Sequence, residues 1–229
     1  MRNTFKTLLT GAVMMTISSF ATAETMPDLV DKVNVSASVL REISEISDGG
    51  IPHNLMNKAT CIATIPNVIK AGFIFGGQYG QGLVSCRVSG RWSQPSFITI
   101  AGGSWGFQIG VESVDLVLVF VKSEAAVKMS KGKFTLGGDV SIAAGPVGRE
   151  AQASTDLTLS SEIYSYSRSR GLFAGLTLDG SIISVDTKTN IMVYGSKLSA
   201  TDLLEHNTDY ILMPAMLRPY NEALSNYAH

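Results

Sequence analysis

The sequence predicts an α+β domain: a glycine-rich, strongly coiled antiparallel β-sheet or small barrel-like core, flanked by N-terminal and C-terminal helices. Three observations predict it. Apolar residues recur with helical spacing from Asp28 to about Ser47. Between Gly72 and Gly180 lie 18 of the 22 glycines, set among short β-branched and aromatic runs. Beyond residue 196 helical spacing returns.

The elements follow in order. Met1, Arg2 and Lys6 precede an uncharged, mostly apolar run from Leu8 to Phe20, and Ala21-Thr22-Ala23 supplies small residues for a cut after Ala23. Residues 1–23 therefore read as a cleaved signal peptide, and the expected location is periplasmic or secreted. Residues 24–229 read as one domain, with a helical lead-in over 24–65, a β core over 66–195 and a helical segment over 196–229. In the lead-in, Leu29, Val33, Leu40 and Ile43 share one helical face, with Val30 and Ala37 at its edge. That amphipathic helix either packs on the sheet or lies in a membrane interface. Asp48-Gly49-Gly50 stops it, and Pro52 opens a second helix expected to run through Leu55, Met56, Ala59 and Ile62 towards Pro66.

Residues 71–92, 96–103, 107–121 and 133–145 read as successive strands with tight connections. Val114 to Val121 is apolar on both faces, which is the pattern of a central strand covered on each side. Glycine within a strand marks a bulge, a sharp bend or a close backbone approach. After Asp179-Gly180, "SIISVD" and "IMVYG" are expected to continue the sheet around Thr187-Lys188-Thr189-Asn190. Ser199 or Thr201 then caps a helical turn at Asp202-Leu203-Leu204, and a last amphipathic piece spans about Pro214 to Ser225.

Composition excludes several function classes. With 18 basic and 19 acidic residues the chain has no basic excess, and losing Arg2 and Lys6 makes it more acidic. Tight nucleic-acid binding needs a basic face that releases counterions, so nucleic acid is not expected as a partner. Cys61 and Cys86 are the two cysteines. In an oxidising compartment they are expected to bridge, the alternative being two buried thiols. Three scattered histidines and two cysteines give no ligand cluster of the usual spacing, so no metal and no cofactor are expected.

Gly102-Gly103-Ser104-Trp105-Gly106 matches the Gly-x-Ser-x-Gly pattern of hydrolase elbows. That chemistry requires a helix after Ser104, whereas the following residues read as a strand. A serine acyl hydrolase using Ser104 is the third choice, and no catalytic residue is assigned. Gly145 to Arg149 lacks the Lys-Ser/Thr of a phosphate-cradling loop and reads as a turn. Glu112 and Asp115, at odd spacing, fall on opposite strand faces.

The remaining candidates are binding surfaces. Lys122, Lys128, Lys131 and Lys133 form a basic cluster around a turn, able to meet anionic headgroups at about 1 kcal/mol per basic residue. In "IYSYSRSR", strand periodicity puts Tyr164, Tyr166, Arg168 and Arg170 on one face. That face fits a headgroup or partner contact. Its alternative is tyrosines packed under a terminal helix, with the arginines pairing locally.

"IPNVIKAGFIFGGQYGQG" (Ile65 to Gly82), "GGSWGFQIG" (Gly102 to Gly110), "FTLGGDVSIAAGPVGR" (Phe134 to Arg149) and "YSYSRSRGLFAGLTLDG" (Tyr164 to Gly180) together resemble the SYLF domain. The resemblance runs from about Ile51 to Gly195, and the leader makes the chain similar to a bacterial secreted form. It implies a non-enzymatic module that binds membranes, with phosphoinositides preferred by eukaryotic members. In a bacterial envelope the expected partners are anionic phospholipids, possible contacts being Lys70, Arg149, Arg168, Arg170 and the Lys122–Lys133 cluster. A structural or protein-interaction module docking another envelope protein is the alternative. Actin is not expected as a partner.

Overall fold

The computed structural model describes residues 24–46, 50–72, 75–105, 110–147, 159–170, 178–206, 209 and 212–227. Helix α1, Met26–Glu45, opens where the Thr25 N–H and hydroxyl both donate to the Asp28 carboxylate, at 2.9 and 2.6 Å. Those bonds hold Asp28 below the usual carboxylate range. Leu29, Val33, Leu40 and Ile43 are buried as their spacing predicts, joined by Ser36, Ala37 and Val39, while Val30 stays exposed. The helix therefore packs on the sheet in this structure.

Helix α2 is shorter than expected. It covers only His53–Asn57, and strand β1, Cys61–Gly72, begins before Ile62. The spacing of Leu55, Ala59 and Ile62 suits a helix, but residues 61–64 pair with a strand on each side. Ladder bonding on two edges outweighs a short apolar period.

The strands that follow are β2 (Phe75–Val88), β3 (Arg91–Trp92), β4 (Ser96–Trp105), β5 (Gly110–Phe120), β6 (Lys133–Thr135), β7 (Ile142–Ala144), β8 (Ile163–Arg170) and β9 (Ile182–Val185). They form one strongly curled sheet in the order β6-β9-β4-β2-β1-β5-β8-β7, with β3 on β2. Pairing is antiparallel except for β7 on β8. Two residues shape the curl. Asn67, at φ 50°, sits in a bulge of β1 that puts Ile65 and Val68 on the same face. Gly82 is the second, since a Cβ there would lie 2.1 Å from the Thr64 carbonyl oxygen.

Two further helices depart from the sequence reading. The segment between Lys122 and Lys131 is helix α3, Ser123–Ser130, rather than a turn. "IMVYG" is not a strand, because Thr187–Tyr194 is helix α4. The Asp186 carboxylate accepts the Thr189 N–H at 3.0 Å, and Gly195 closes the helix at φ 68°. Those cap signals outweigh the strand preference of Ile191 and Val193. At the C-terminus, Ser199 and Asp202 cap each other before a π-helical turn, Asp202–His206. A 3₁₀ turn, Ala215–Leu217, leads into helix α5, Arg218–Tyr227.

The sheet has a core on each face. On one, called here the helix face, α1, α2 and α5 cover Ile62, Leu83, Phe97, Val117 and Val119. Tyr220 of α5 is fully buried there, its hydroxyl 3.1 Å from Thr64 Oγ1 and 3.3 Å from the carbonyls of Ile62 and Leu83. On the other, α3, Phe134, Leu203 and Leu204 cover Ile65, Val84, Ile98, Leu116 and Leu118. Val114–Phe120 is thus covered on both faces, as the apolar residues on each of them require. Cys61 and Cys86, directly opposite on β1 and β2, form a disulfide.

Candidate functional site: the two ends of the sheet

The sequence-selected residues separate to opposite ends of the strands. Lys122, Lys128, Lys131 and Lys133 follow the end of β5 at Phe120, whereas Lys70 and Arg170 lie near its start, level with Glu112 and Ser113. Nine residue-to-residue steps of strand from Val111 to Phe120 separate these ends by about 30 Å. Arg149 lies outside the described residues. Of Arg170 only the strand position is described.

Most of the face of β8 is committed to packing. Tyr164 and Tyr166 are buried in the core beneath α1 and α5. Their placement follows from register, opposite Val119 and Val117 on the helix face of β5. The Tyr166 hydroxyl donates to the Pro146 carbonyl at 3.0 Å, and burial pushes its phenol well above the ordinary value. Arg168 donates to Glu42 of α1 and, at 2.8 Å, to the buried Asp115 carboxylate. Asp115 also accepts the Asn67 N–H at the bulge, at 3.0 Å. Arg168 therefore clamps α1 to the sheet, and these bonds to Glu42 and Asp115 raise its pKa further.

Lys70 is buried too, on the face away from α1. It lies directly opposite buried Glu112 of β5 on one side and Gln78 of β2 on the other. Gln78 Nε2 donates to Ser181 Oγ at 2.5 Å. These residues form a polar row across four strands, closed tightly enough that a Cβ on Gly102 would meet the same Ser181 oxygen. Glu112 and Asp115 do fall on opposite faces, and both are buried.

The lysine end is more open. Lys122 Nζ donates to the Ser160 carbonyl at 3.2 Å and Lys128 to that of Asp139. Lys131 and Lys133 instead border an open cleft of about 620 Å³ with Lys197, which the sequence reading did not single out. Thr187, Ser199 and Thr201 add hydroxyls to its walls. All three lysines are exposed, and among the described residues none has an ion pair. Asp202, the one carboxylate of the lining, is occupied by the N–H and hydroxyl of Ser199 at 2.8 and 2.6 Å. Lys197 was not legible because it is distant in sequence. Pairing of Lys133 on β6 with Ser184 on β9 brings its segment alongside.

Among the described residues no reaction centre is assembled. Ser104 lies within β4, and the next described element is another strand. Among the described residues no three His, Cys, Asp or Glu side chains gather as a metal site, and no helix is long and apolar enough to cross a membrane. What the fold presents is an open cleft lined by lysines and hydroxyls at one end of an α+β domain. Residues 101–227 match the family model described as "Ysc84: Las17-binding protein actin regulator". The human SH3 domain-containing YSC84-like protein 1 is 37% identical over 207 residues, spanning 87% of this chain and 59% of that protein. Protein YSC84 of Saccharomyces cerevisiae is 39% identical over 162 residues, spanning 69% of this chain and 34% of that protein. The chain belongs to the Ysc84/SYLF family. It covers little more than half the length of its vertebrate relatives and about a third of the yeast one.

Proposed function

We propose that the protein is a non-enzymatic module that binds anionic phospholipid headgroups at a membrane surface of the bacterial envelope through the lysine end. The observation that carries this reading is the cleft between Lys131, Lys133 and Lys197, three exposed ammonium groups with no ion pair among the described residues. On a chain of net charge −1 such a local excess attracts phosphate esters, and the wall hydroxyls supply hydrogen bonds to them. Near an anionic surface three lysines contribute about 3 kcal/mol, an attraction that salt screens. Cosedimentation with phosphatidylglycerol and phosphatidylcholine vesicles across a salt series tests it. Low-salt binding to the anionic vesicles, lost in Lys131→Glu/Lys133→Glu/Lys197→Glu, is expected; equal binding by that variant overturns the reading.

A second reading is favoured by the family description, which names binding to a protein. In that case the same end docks an acidic envelope protein, and folded protein ignores both vesicle types.

A further inference from the structure

Between α1 and the sheet lies a crevice of about 340 Å³, walled by Asp31, Lys32 and Val35 of the helix and by Ile69, Tyr79 and Gln81 of β1 and β2. Its sheet wall is apolar at Ile69 and Tyr79, which pair directly across the two strands and are 53% and 58% exposed. Its charge is negative. Lys32 Nζ is engaged by Glu24, at 2.5 Å, and by Gln81. Gln81 Nε2 in turn donates to Glu24 at 3.0 Å and to Asp186 at 2.7 Å. One ammonium thus stands against two carboxylates. Asp31 adds a third, exposed and with no ion pair among the described residues. Burial and the charges of Asp186 and Glu24 push the Tyr79 phenol up, so their field reaches the ring. A free carboxylate beside an exposed aromatic face and an aliphatic side chain suits a cation carried on an apolar stem.

Two glycines beside the crevice indicate what carries that cation. Gly77 and Gly103 are exposed, directly opposite each other on β2 and β4, and two positions along from Tyr79 and Ala101 on the same face. Gly80, Gly82 and Gly102 are demanded by the fold, since a Cβ on any of them would lie 2.1 to 2.8 Å from another residue. Gly77 and Gly103 are not. The nearest described atoms to a Cβ there are 3.8 and 3.9 Å away, ordinary contact distances, and neither glycine has a positive φ. A strand glycine with room for a side chain weakens its strand with no gain in packing, and such positions mark where another backbone comes close. The crevice itself is at the small end of the range of ligand sites, about 300–1,000 Å³, and accepts one side chain rather than a folded surface. We propose that this region docks an extended segment of a partner protein. The segment's backbone lies over Gly77 and Gly103, and one of its lysine or arginine side chains enters the crevice past Tyr79 towards Asp31. The site shares no residue with the lysine cleft and selects the opposite charge.

The probes are blocked seven-residue peptides of alternating serine and valine, with lysine, arginine or uncharged norleucine at the centre. Each is titrated into isotope-labelled protein and followed by amide NMR. The lysine and arginine peptides are expected to shift the signals of residues 67–71, 77–81 and 101–103. The norleucine peptide is expected to bind roughly tenfold more weakly, having lost its cation. Asp31→Asn is expected to weaken the lysine peptide roughly fivefold at an unchanged melting temperature, because its carboxylate is exposed. Gly77→Val is expected to abolish binding while melting at or above the wild-type temperature, since a β-branched side chain suits a strand and has room there. Equal binding of the norleucine peptide, wild-type binding by either variant, or no binding of either basic peptide overturns the proposal. Self-association of the protein that is lost in both Gly77→Val and the lysine triple variant seats a second copy of the chain here, and overturns it too. The lysine triple variant is expected to bind the peptides like wild type, so failure of the headgroup reading leaves this result untouched.

Discussion

The two ends of β5 obey the same alternation and meet opposite fates. From Val114 to Phe120 both faces are buried, one under α1 and α5 and the other under α3 and its neighbours. At Val111, beyond Glu112 and Ser113, the side chain shares the face of Val117 and Val119 yet stands in solvent. What differs is reach: a 20-residue helix is about 30 Å long. α1 lies over the covered part of the sheet and stops beside Tyr79, where Lys32 donates to Gln81 and a crevice of about 340 Å³ opens. A strand pattern thus specifies which side chains share a face. Whether that face is core or contact surface depends on what else crosses it.

Removing side chains from each end sharpens that contrast. The largest loss is expected from Tyr220→Ala, at the centre of the covered region, because it opens a large cavity and strips a buried hydroxyl from β1 and β2. Chemical denaturation should report a loss of about 4 kcal/mol. Replacing Cys61 and Cys86 with serine releases a link across 25 residues, for which loop entropy gives about 3 kcal/mol. A melting curve that changes little would show that the flanking strand pairs already hold this end.

Arg168→Gln is expected to cost about 2 kcal/mol, since it leaves the buried Asp115 carboxylate without its guanidinium. Faster amide exchange along α1 is the accompanying sign. Vesicle binding by this variant is therefore interpretable only alongside its stability.

A smaller, local effect belongs to Glu162, which accepts the Ser141 N–H at 2.9 Å and the Ser141 hydroxyl at 3.1 Å. Those bonds hold its carboxyl below the usual range, so their stabilisation is complete above the unfolded pKa and disappears as pH falls through the lower folded value. Exchange of residues 142–144 should rise first on acidification. Uniform exchange along β7 and β5 would contradict it. At the projecting end, Val111→Asp should move stability by less than about 0.5 kcal/mol. A loss as large as that of Tyr220→Ala would erase the distinction between the ends.

Much of this was legible in the residues. The α1 face, the doubly buried β5 run, the disulfide pair and the family motifs all rest on local period or on short-range pattern. The misread elements were those whose local signals conflict. Ala59 and Ile62 fit either period, and pairing on both edges decided for strand. Ile191 and Val193 prefer strands, and the Asp186 and Gly195 caps decided for helix. The basic residues were legible as a set but not as a site. Lys70 and Arg168 are drawn into internal partnerships, while Lys131 and Lys133 gain Lys197 from a distant segment.

By itself, then, the sequence determined which side chains share a helix stripe or strand face, because those periods are set by backbone geometry within a few residues. It also determined the α+β class and the charge balance. Only the tertiary structure decided which faces were covered, which cations were neutralised, and that the lysine cleft and exposed Val111 stand at opposite ends of the sheet. Those outcomes depend on strand order and helix placement, which bring together residues far apart in the chain.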